Sequence, residues 1–347
     1  MISKYLFSVL MACLCILISV PVLADDENSS SSDNQTHLTL GVIPSGNTSP
    51  FHKELIKGMI NAAADKNLTI EVRPPDTEEN ITAQKLAMQL FIDEHVDVIC
   101  LNTLNTSVLS PEIQAASNAG IPVLVYNTLT PAHDESIAEY IGYNQFTGAA
   151  ELGSYTARIL AEKQNDASNT VQGKTFILRG LPGFHADHRT DGFVTGLSQS
   201  PGITITNEAV AGWDRKTAKQ IAVQALKDNP AINIFYGNSD EMAIGAAEAV
   251  QEQGKHVNSD ILCVGIDGNA PTLAMIKNGT MTATLGVYPD RMGTVVVEQA
   301  EKVLKGEQVP RYLETPSTVV DSQNLDAYLN GSTWTEPVES VPEPDIR

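Results

Sequence analysis

From residue 37 onward, short runs of consecutive apolar residues alternate with longer stretches in which apolar positions recur every three or four residues. The runs at 38–43, 68–72, 96–101 and 122–126, and the one reaching Ile141, have the length and the Val, Ile and Leu content of strands. The same rhythm returns with runs at 174–179, 203–210, 232–236, 260–265 and 281–287. The stretches between them predict helices. In the first half these are 51–66, with Phe51, Leu55, Met59 and Ala62 on one face, then 79–94 and 108–119. In the second half they are 186–199, 216–227, 241–253 and 271–277. Strands that are apolar throughout, rather than alternating, must be covered on both faces, which predicts parallel sheets flanked by helices. Right-handed crossovers then make each half a doubly wound sandwich. The expected fold class is α/β, with two doubly wound parallel-sheet lobes joined by a hinge. The chain is expected to divide discontinuously, with 37–142 and 288–315 in lobe 1, and 143–287 and 316–330 in lobe 2.

The ends of the chain carry a different pattern. Lys4 is a lone positive charge, an apolar run from Tyr5 to Val20 is broken only by Ser8 and Ser19, and Val22 and Ala24 stand three residues and one residue before Asp25. Residues 1–24 therefore read as a secretory signal peptide cut before Asp25, which places the mature protein in the periplasm. A membrane anchor is the competing reading, but the run is at the short end for a span and its flanking charge is weak. A lipoprotein beginning at Cys13 would leave the apolar stretch 14–22 on the mature chain. Residues 25–36 are polar and low in complexity, and read as a flexible leader. The acidic, Pro-rich tail 331–347 reads as disordered.

Length and charge narrow the function. Roughly 320 residues after the signal peptide exceed what a single core usually serves, in keeping with two lobes. The whole chain carries a formal charge of −20, and loss of residues 1–24, whose only charged side chain is Lys4, makes it more negative still. A strongly acidic exported protein repels nucleic acid and anionic lipid, so neither is expected as a partner. Cys13 and Cys15 leave with the signal peptide. Cys100 and Cys263 sit inside strand-like runs and read as buried, inert thiols, although an oxidising compartment permits a disulfide.

In doubly wound sheets, ligands meet the loops beyond the carboxyl ends of the strands. Residues 44–52 after the first strand (PSGNTSPFH) form a loop leading into a helix N-terminus, where free N–H groups and hydroxyls can face a ligand; ordinary capping by Ser or Thr is the alternative. Asn127 and Thr128 follow the fourth strand, and Tyr143 and Asn144 follow the run at Ile141. In the second half, a Gly-rich turn leads to His185, Asp187, His188 and Arg189; Trp213 follows Gly212; Ser239 and Asp240 follow an Ile-Phe-Tyr run; and Asp267 follows Cys-Val-Gly-Ile. Each is weak by itself. Together they place an Arg, an indole, several carboxamides and one or two carboxylates at strand ends. Sugars require that mixture: an aromatic face for the C–H side of the ring, and donors and acceptors for adjacent hydroxyls.

Several of these pieces carry a family resemblance: Pro50-Phe51, Arg189-Thr190-Asp191-Gly192-Phe193, Trp213-Asp214-Arg215, the stretch Ser239-Asp240-Glu241-Met242-Ala243-Ile244-Gly245-Ala246, Val264-Gly265-Ile266-Asp267-Gly268, and Lys302-Val303-Leu304-Lys305-Gly306-Glu307. With these, the sequence from about 38 to 320 resembles the periplasmic sugar-binding proteins of the ribose-binding type, the type I periplasmic binding fold. The resemblance implies that Ser45, Ser49, Phe51, His52, Asn127 and Thr128 face a ligand from the first lobe, and Arg189, Trp213, Ser239 and Asp267 from the second. Arg189 and Asp267 would bind ring or hydroxyl oxygens, Trp213 and Phe51 would stack, and Asp240 would brace its loop. The family's ribose binder has an aromatic where His52 stands, an Asp-Arg pair at Asn127-Thr128, an Asn at Ser239 and a Gln at Val287. Loss of a bidentate Arg and a carboxylate changes which hydroxyl pattern fits. The expected ligand is thus another monosaccharide, a polyol or a small signal molecule of that size.

The expected role is a monomeric solute-binding protein that delivers its ligand to the membrane permease of an ABC importer, with a co-receptor for a sensor kinase or chemoreceptor as the alternative. No cofactor, metal or enzymatic activity is expected. His185, Asp187 and His188 superficially suggest a metal site, but His-x-x-His lacks a third well-spaced ligand. A sugar-responsive repressor of this fold would need an N-terminal helix-turn-helix where the signal peptide stands.

Overall fold

The computed structural model describes residues 38–131, 134–164 and 171–344, so residues 1–37, which hold the expected signal peptide and leader, and the last three residues lie outside it. One sheet contains β1 (Thr39–Ile43), β2 (Thr69–Val72), β3 (Val98–Leu101), β4 (Val123–Tyr126), β5 (Ile137–Gly142), β11 (Tyr312–Glu314) and β13 (Val338–Glu339), in the order β13-β11-β5-β4-β3-β1-β2. The other contains β6 (Gly173–Arg179), β7 (Ile203–Val210), β8 (Ile234–Gly237), β9 (Leu262–Asp267), β10 (Ala283–Gly286) and β12 (Thr318–Val320), in the order β12-β10-β9-β8-β6-β7. All neighbours are parallel except β12 on β10 and β13 on β11. The sheets repeat one topology: in each, the first strand in sequence lies between the second and the third. Both sheets therefore have a switch point where the loops diverge.

Among the described residues, ten α-helices cover the sheets: α1 (Pro50–Asp65), α2 (Ile81–Asp93), α3 (Ser110–Asn118), α4 (Gln145–Lys163), α5 (Phe184–Leu197), α6 (Arg215–Asp228), α7 (Asp240–Glu252), α8 (Ala270–Lys277), α9 (Pro289–Leu304) and α10 (Leu325–Leu329). Three of them, α4, α9 and the short α10, go beyond the helices that the apolar periodicity predicts. Helix α4 buries mostly small residues, Gly148, Ala149, Gly153 and Ala157 among them, and packs on α5. The two backbones touch: a Cβ on Gly192 would lie 2.2 Å from the Phe146 carbonyl, and one on Gly196 2.1 Å from that of Ala150. Helix α9 packs on α1 in the same manner, through Gly58 and Gly293. Cys100 and Cys263 are free, buried and in different sheets.

The chain passes from the first sheet to the second between β5 and α4, returns between β10 and α9, and crosses again between β11 and β12. A fourth passage after α10 brings β13 onto β11. The tail, read from composition as disordered, is thus ordered as far as Pro344. Its Pro and acidic residues are held by specific bonds: Ser340 N–H donates to the Tyr312 carbonyl, and the Glu343 side chain is buried against the start of α4.

Candidate functional site

Between the sheets, the strand-end loops enclose a cleft of about 430 Å³, part of it open to solvent. From the first lobe, the loop after β1 supplies Ser45 and Ser49, and the first turn of α1 supplies Phe51 and His52. Ser49 occupies the N-cap of α1, yet its side chain makes no capping bond, so capping does not account for this serine. Ser45 Oγ and His52 Nε2 are 2.8 Å apart, Glu78 Oε1 lies 3.5 Å from the same nitrogen, and His52 Nδ1 is buried without a partner. Asn127 follows β4 at φ 63°, and its Oδ1 is also buried and unpartnered.

The second lobe centres on Arg189, which projects from α5 and is 4% exposed. Its Nε donates to Gln145 Oε1 at 2.7 Å, and its Nη1 donates to the Asn238 carbonyl at 2.8 Å and to Asp267 Oδ1 at 3.4 Å. Nη2 is used in none of these bonds. Tyr143 and Trp213 flank the guanidinium, with ring centroids 5.7 and 5.6 Å from Cζ. Burial raises the Asp267 carboxyl well above the usual range, while Arg189 pulls it down and Asp240 pushes it up again. Asp240 braces the loops around it, accepting from Thr284 Oγ1 at 2.6 Å and from Asn269 N–H at 2.8 Å. Trp213 and Asp267 take φ values of 65° and 140°. With Asn127, three cleft residues hold backbone conformations that side chains other than glycine's rarely adopt, a strain typical of functional sites.

Nine of the twelve residues proposed from sequence line this cleft: Ser45, Ser49, Phe51, His52, Asn127, Arg189, Trp213, Ser239 and Asp267. The other three do not. Thr128 points to a neighbouring cavity, where its Oγ1 accepts from Thr130 N–H. Tyr143 is fully buried beneath Arg189 and donates its hydroxyl to Gln145. Asn144 caps α4, its Oδ1 accepting from Thr147 N–H at 2.8 Å. Five lining residues were missed: Glu78, Asn102, Leu104, His185 and Glu241. Asn102 directly follows β3, so the strand-end rule would have found it; Glu78 lies in an acidic loop that ends no long apolar run. His185 is buried, which lowers its pKa to about 3, and its Nε2–H donates to the Asn127 carbonyl at 2.9 Å. The ring nitrogens of His188 lie 3.0 and 3.1 Å from the Phe184 and Pro344 carbonyls, and Asp187 pairs with Arg179. Among the described residues no His, Cys, Asp and Glu group is arranged to hold a metal ion.

A model of the periplasmic binding protein domain matches residues 40–308. The chain belongs to the periplasmic binding protein family. Its curated relatives include the ribose import binding protein of Bacillus subtilis, 26% identical over 288 residues, which are 83% of this chain and 88% of the relative. The D-allose-binding periplasmic protein of Escherichia coli is 25% identical over 79% of this chain and 88% of its own. A crystal structure from Mycobacterium smegmatis in complex with β-D-fucofuranose superposes with a TM-score of 0.76 at 25% identity, covering 85% of this chain and 95% of the other. The family is one of non-enzymatic binding proteins. Among the described residues of this member, no helix is long and apolar enough to cross a membrane.

Proposed function

We propose that this protein is the solute-binding component of an ABC importer and closes its two lobes on a monosaccharide or polyol. The observation that carries the reading is the environment of Arg189: a guanidinium between two aromatic rings, 3.4 Å from a carboxylate, at the bottom of a cleft lined from both lobes. Ser45, His52 and Asn127 offer hydroxyl, imidazole and carboxamide groups from one side, while Arg189, Ser239 and Asp267 answer from the other. A ligand that bridges both sets stabilises the closed arrangement through contacts it lacks when the lobes part. Phe51 and Trp213 supply apolar faces for ring C–H groups. The relatives' sugars support the ligand class, and the departures at His52, Asn127 and Ser239, which line the cleft, argue against ribose itself.

Residues 1–24 serve as the export signal in this reading, and the mature chain begins at Asp25. Intact-mass measurement of the exported protein tests that start directly; a species retaining Met1 or beginning at Cys13 contradicts it. The ligand class is tested by thermal shift over monosaccharides, polyols, amino acids and dicarboxylates, followed by calorimetry on each hit. A ligand that binds only the folded state raises the melting temperature. A sugar or polyol hit supports the reading, and a panel in which only amino acids or carboxylates bind overturns it.

A further inference from the structure

The C-terminal segment reaches the cleft through two residues that touch no ligand in the reading above. Gln145, the first residue of α4, is fully buried and joins both lobes. Its Nε2 donates to the Asn127 carbonyl at 3.1 Å in the first lobe. Its Oε1 accepts from Tyr143 Oη and from Arg189 Nε, each at 2.7 Å. Its backbone N–H is one of the donors that a helix start leaves without an internal partner. Glu343 takes that donor and the next one: its carboxylate oxygens lie 2.8 Å from Gln145 N and 2.9 Å from Phe146 N.

Glu343 is itself anchored to the first lobe, its N–H donating to the Leu129 carbonyl at 3.0 Å. The following carbonyl, that of Pro344, accepts from His188 Nε2 at 3.1 Å on α5, the residue directly before Arg189. From β13 to Pro344 the chain therefore forms a strap that starts on the edge of one sheet and finishes on two helices of the other lobe. The strap lies beyond residue 308, where the match to the family model stops.

We infer that Gln145 and Glu343 are positioning residues of the binding site, with the strap holding Gln145 so that Arg189 is already oriented when the lobes close. This rests on the reading that Arg189 meets the ligand. An arginine on a free stem must lose several rotatable bonds' worth of freedom on binding; one whose Nε is already engaged has lost much of it beforehand. A carboxylate at a helix start is also favourably placed against the helix dipole; burial pushes the Glu343 pKa up to about 7, so the strap's bond to α4 is a charge-assisted one above that pH.

Two readouts on the ligand-free protein test the inference. The first is hydrogen exchange at the Arg189 side-chain Nε–H, assigned by its loss in Arg189→Lys. It is expected to be protected in the wild type and to exchange faster in Glu343→Ala and in Gln145→Ala. Glu343→Gln, which keeps an acceptor oxygen, should restore part of the protection. The second is the interlobe distance between spin labels at Gln89→Cys and Lys227→Cys, both exposed, with the native thiols buried. Glu343→Ala is expected to lengthen and broaden that distance, because the segment anchored on Leu129 then no longer holds the start of α4. A tail that only adds stability would lower the melting temperature of Glu343→Ala and leave Arg189 protected and the distance unchanged, and that result overturns the inference. Because neither readout needs a ligand, its failure is separate from a failure of the sugar panel, which would sink the reading of the cleft instead.

Discussion

Trp213 lies directly against Gly180: a Cβ built on Gly180 would come within 2.1 Å of the indole ring. The glycine directly follows the last residue of β6, and the indole is carried there by Gly212 and Trp213, both at left-handed φ of 63° and 65°. The ring's seat is therefore a missing side chain. Gly180→Ala should push the indole from its place without touching any other cleft residue. Trp213→Ala should cost roughly 1–2 kcal/mol of binding, or about 5- to 30-fold in affinity, since stacking and apolar burial are lost. Gly180→Ala is expected to approach that loss with a fold that still melts cooperatively. Calorimetry on the two variants checks it, and wild-type affinity in Gly180→Ala would mean that Trp213 is no part of the site.

Arg189 is the more costly residue to lose. Truncation to Ala leaves the Asn238 carbonyl without its side-chain donor, Asp267 without its cation and Gln145 Oε1 with Tyr143 alone. Buried acceptors without a partner, together with the ligand oxygens the fork would have met, should cost about 2–4 kcal/mol of binding, or about 30- to 1000-fold. Arg189→Lys should recover little of it, because a point charge cannot reproduce a planar fork engaged through Nε and Nη1 at once. Titration of the two variants with the hit from the sugar panel decides; tight binding by Arg189→Ala would move the ligand elsewhere in the cleft.

The helices α1 and α9 meet at Gly58 and Gly293, each without a Cβ where the other's backbone passes. A Cβ on Gly58 would lie 1.9 Å from the Asp290 carbonyl oxygen, and one on Gly293 would lie 2.1 Å from that of Leu55. Neither contact can be relieved by a side-chain rotation, because the obstacle is backbone. Gly58→Ala and Gly293→Ala should each destabilise the fold by about 1–3 kcal/mol. Urea denaturation measures this, and a variant within a few tenths of the wild type would show that the helices separate at little cost.

The same feature explains which parts of the fold could be read in advance. Strands made of Val, Ile and Leu announce themselves, and the loops after them gave Arg189, Trp213 and Asp267. Helix α4 did not announce itself in this way: it buries glycine and alanine against α5, and close backbone contact leaves no large apolar stripe for a periodicity to catch, whereas α9 does carry one, in Met292, Val295, Val296 and Val297, that the strand-and-helix reading passed over. The strand-end rule also selects by position in the chain, whereas reaching the cleft depends on side-chain direction. Tyr143 and Asn144 stand at the right point but turn under Arg189 and onto the α4 cap. Glu78, from an acidic loop after the short strand β2, comes in from the side. The tail misled for a different reason. Proline and acidic residues lower the tendency to fold alone, but Glu343 finds two free amide donors on another element, a long-range partner that composition does not encode.

Glu139 offers a test that is independent of any ligand. It sits on β5, fully buried, and neither carboxylate oxygen has a hydrogen-bond partner among the described residues. Burial pushes its pKa up to about 8, with Lys302 pulling weakly the other way. In the unfolded chain the group titrates near 4.5, so between these values the folded protein holds a proton that the unfolded chain releases. The sign follows: the stability associated with Glu139 is fully present below about pH 4.5, falls as pH rises through the window, and levels off above about pH 8. The slope within the window approaches about 1.4 kcal/mol per pH unit at most. Glu139→Gln keeps the shape of the protonated acid and removes the titration. The variant should therefore match the wild type near pH 4.5 and become progressively the more stable of the two toward pH 8. Urea denaturation of both proteins at pH 5, 6, 7 and 8 isolates the effect, because every other titrating group cancels in the difference. A difference that stays constant over that range would mean that the Glu139 carboxyl is ionised and paired in the folded protein.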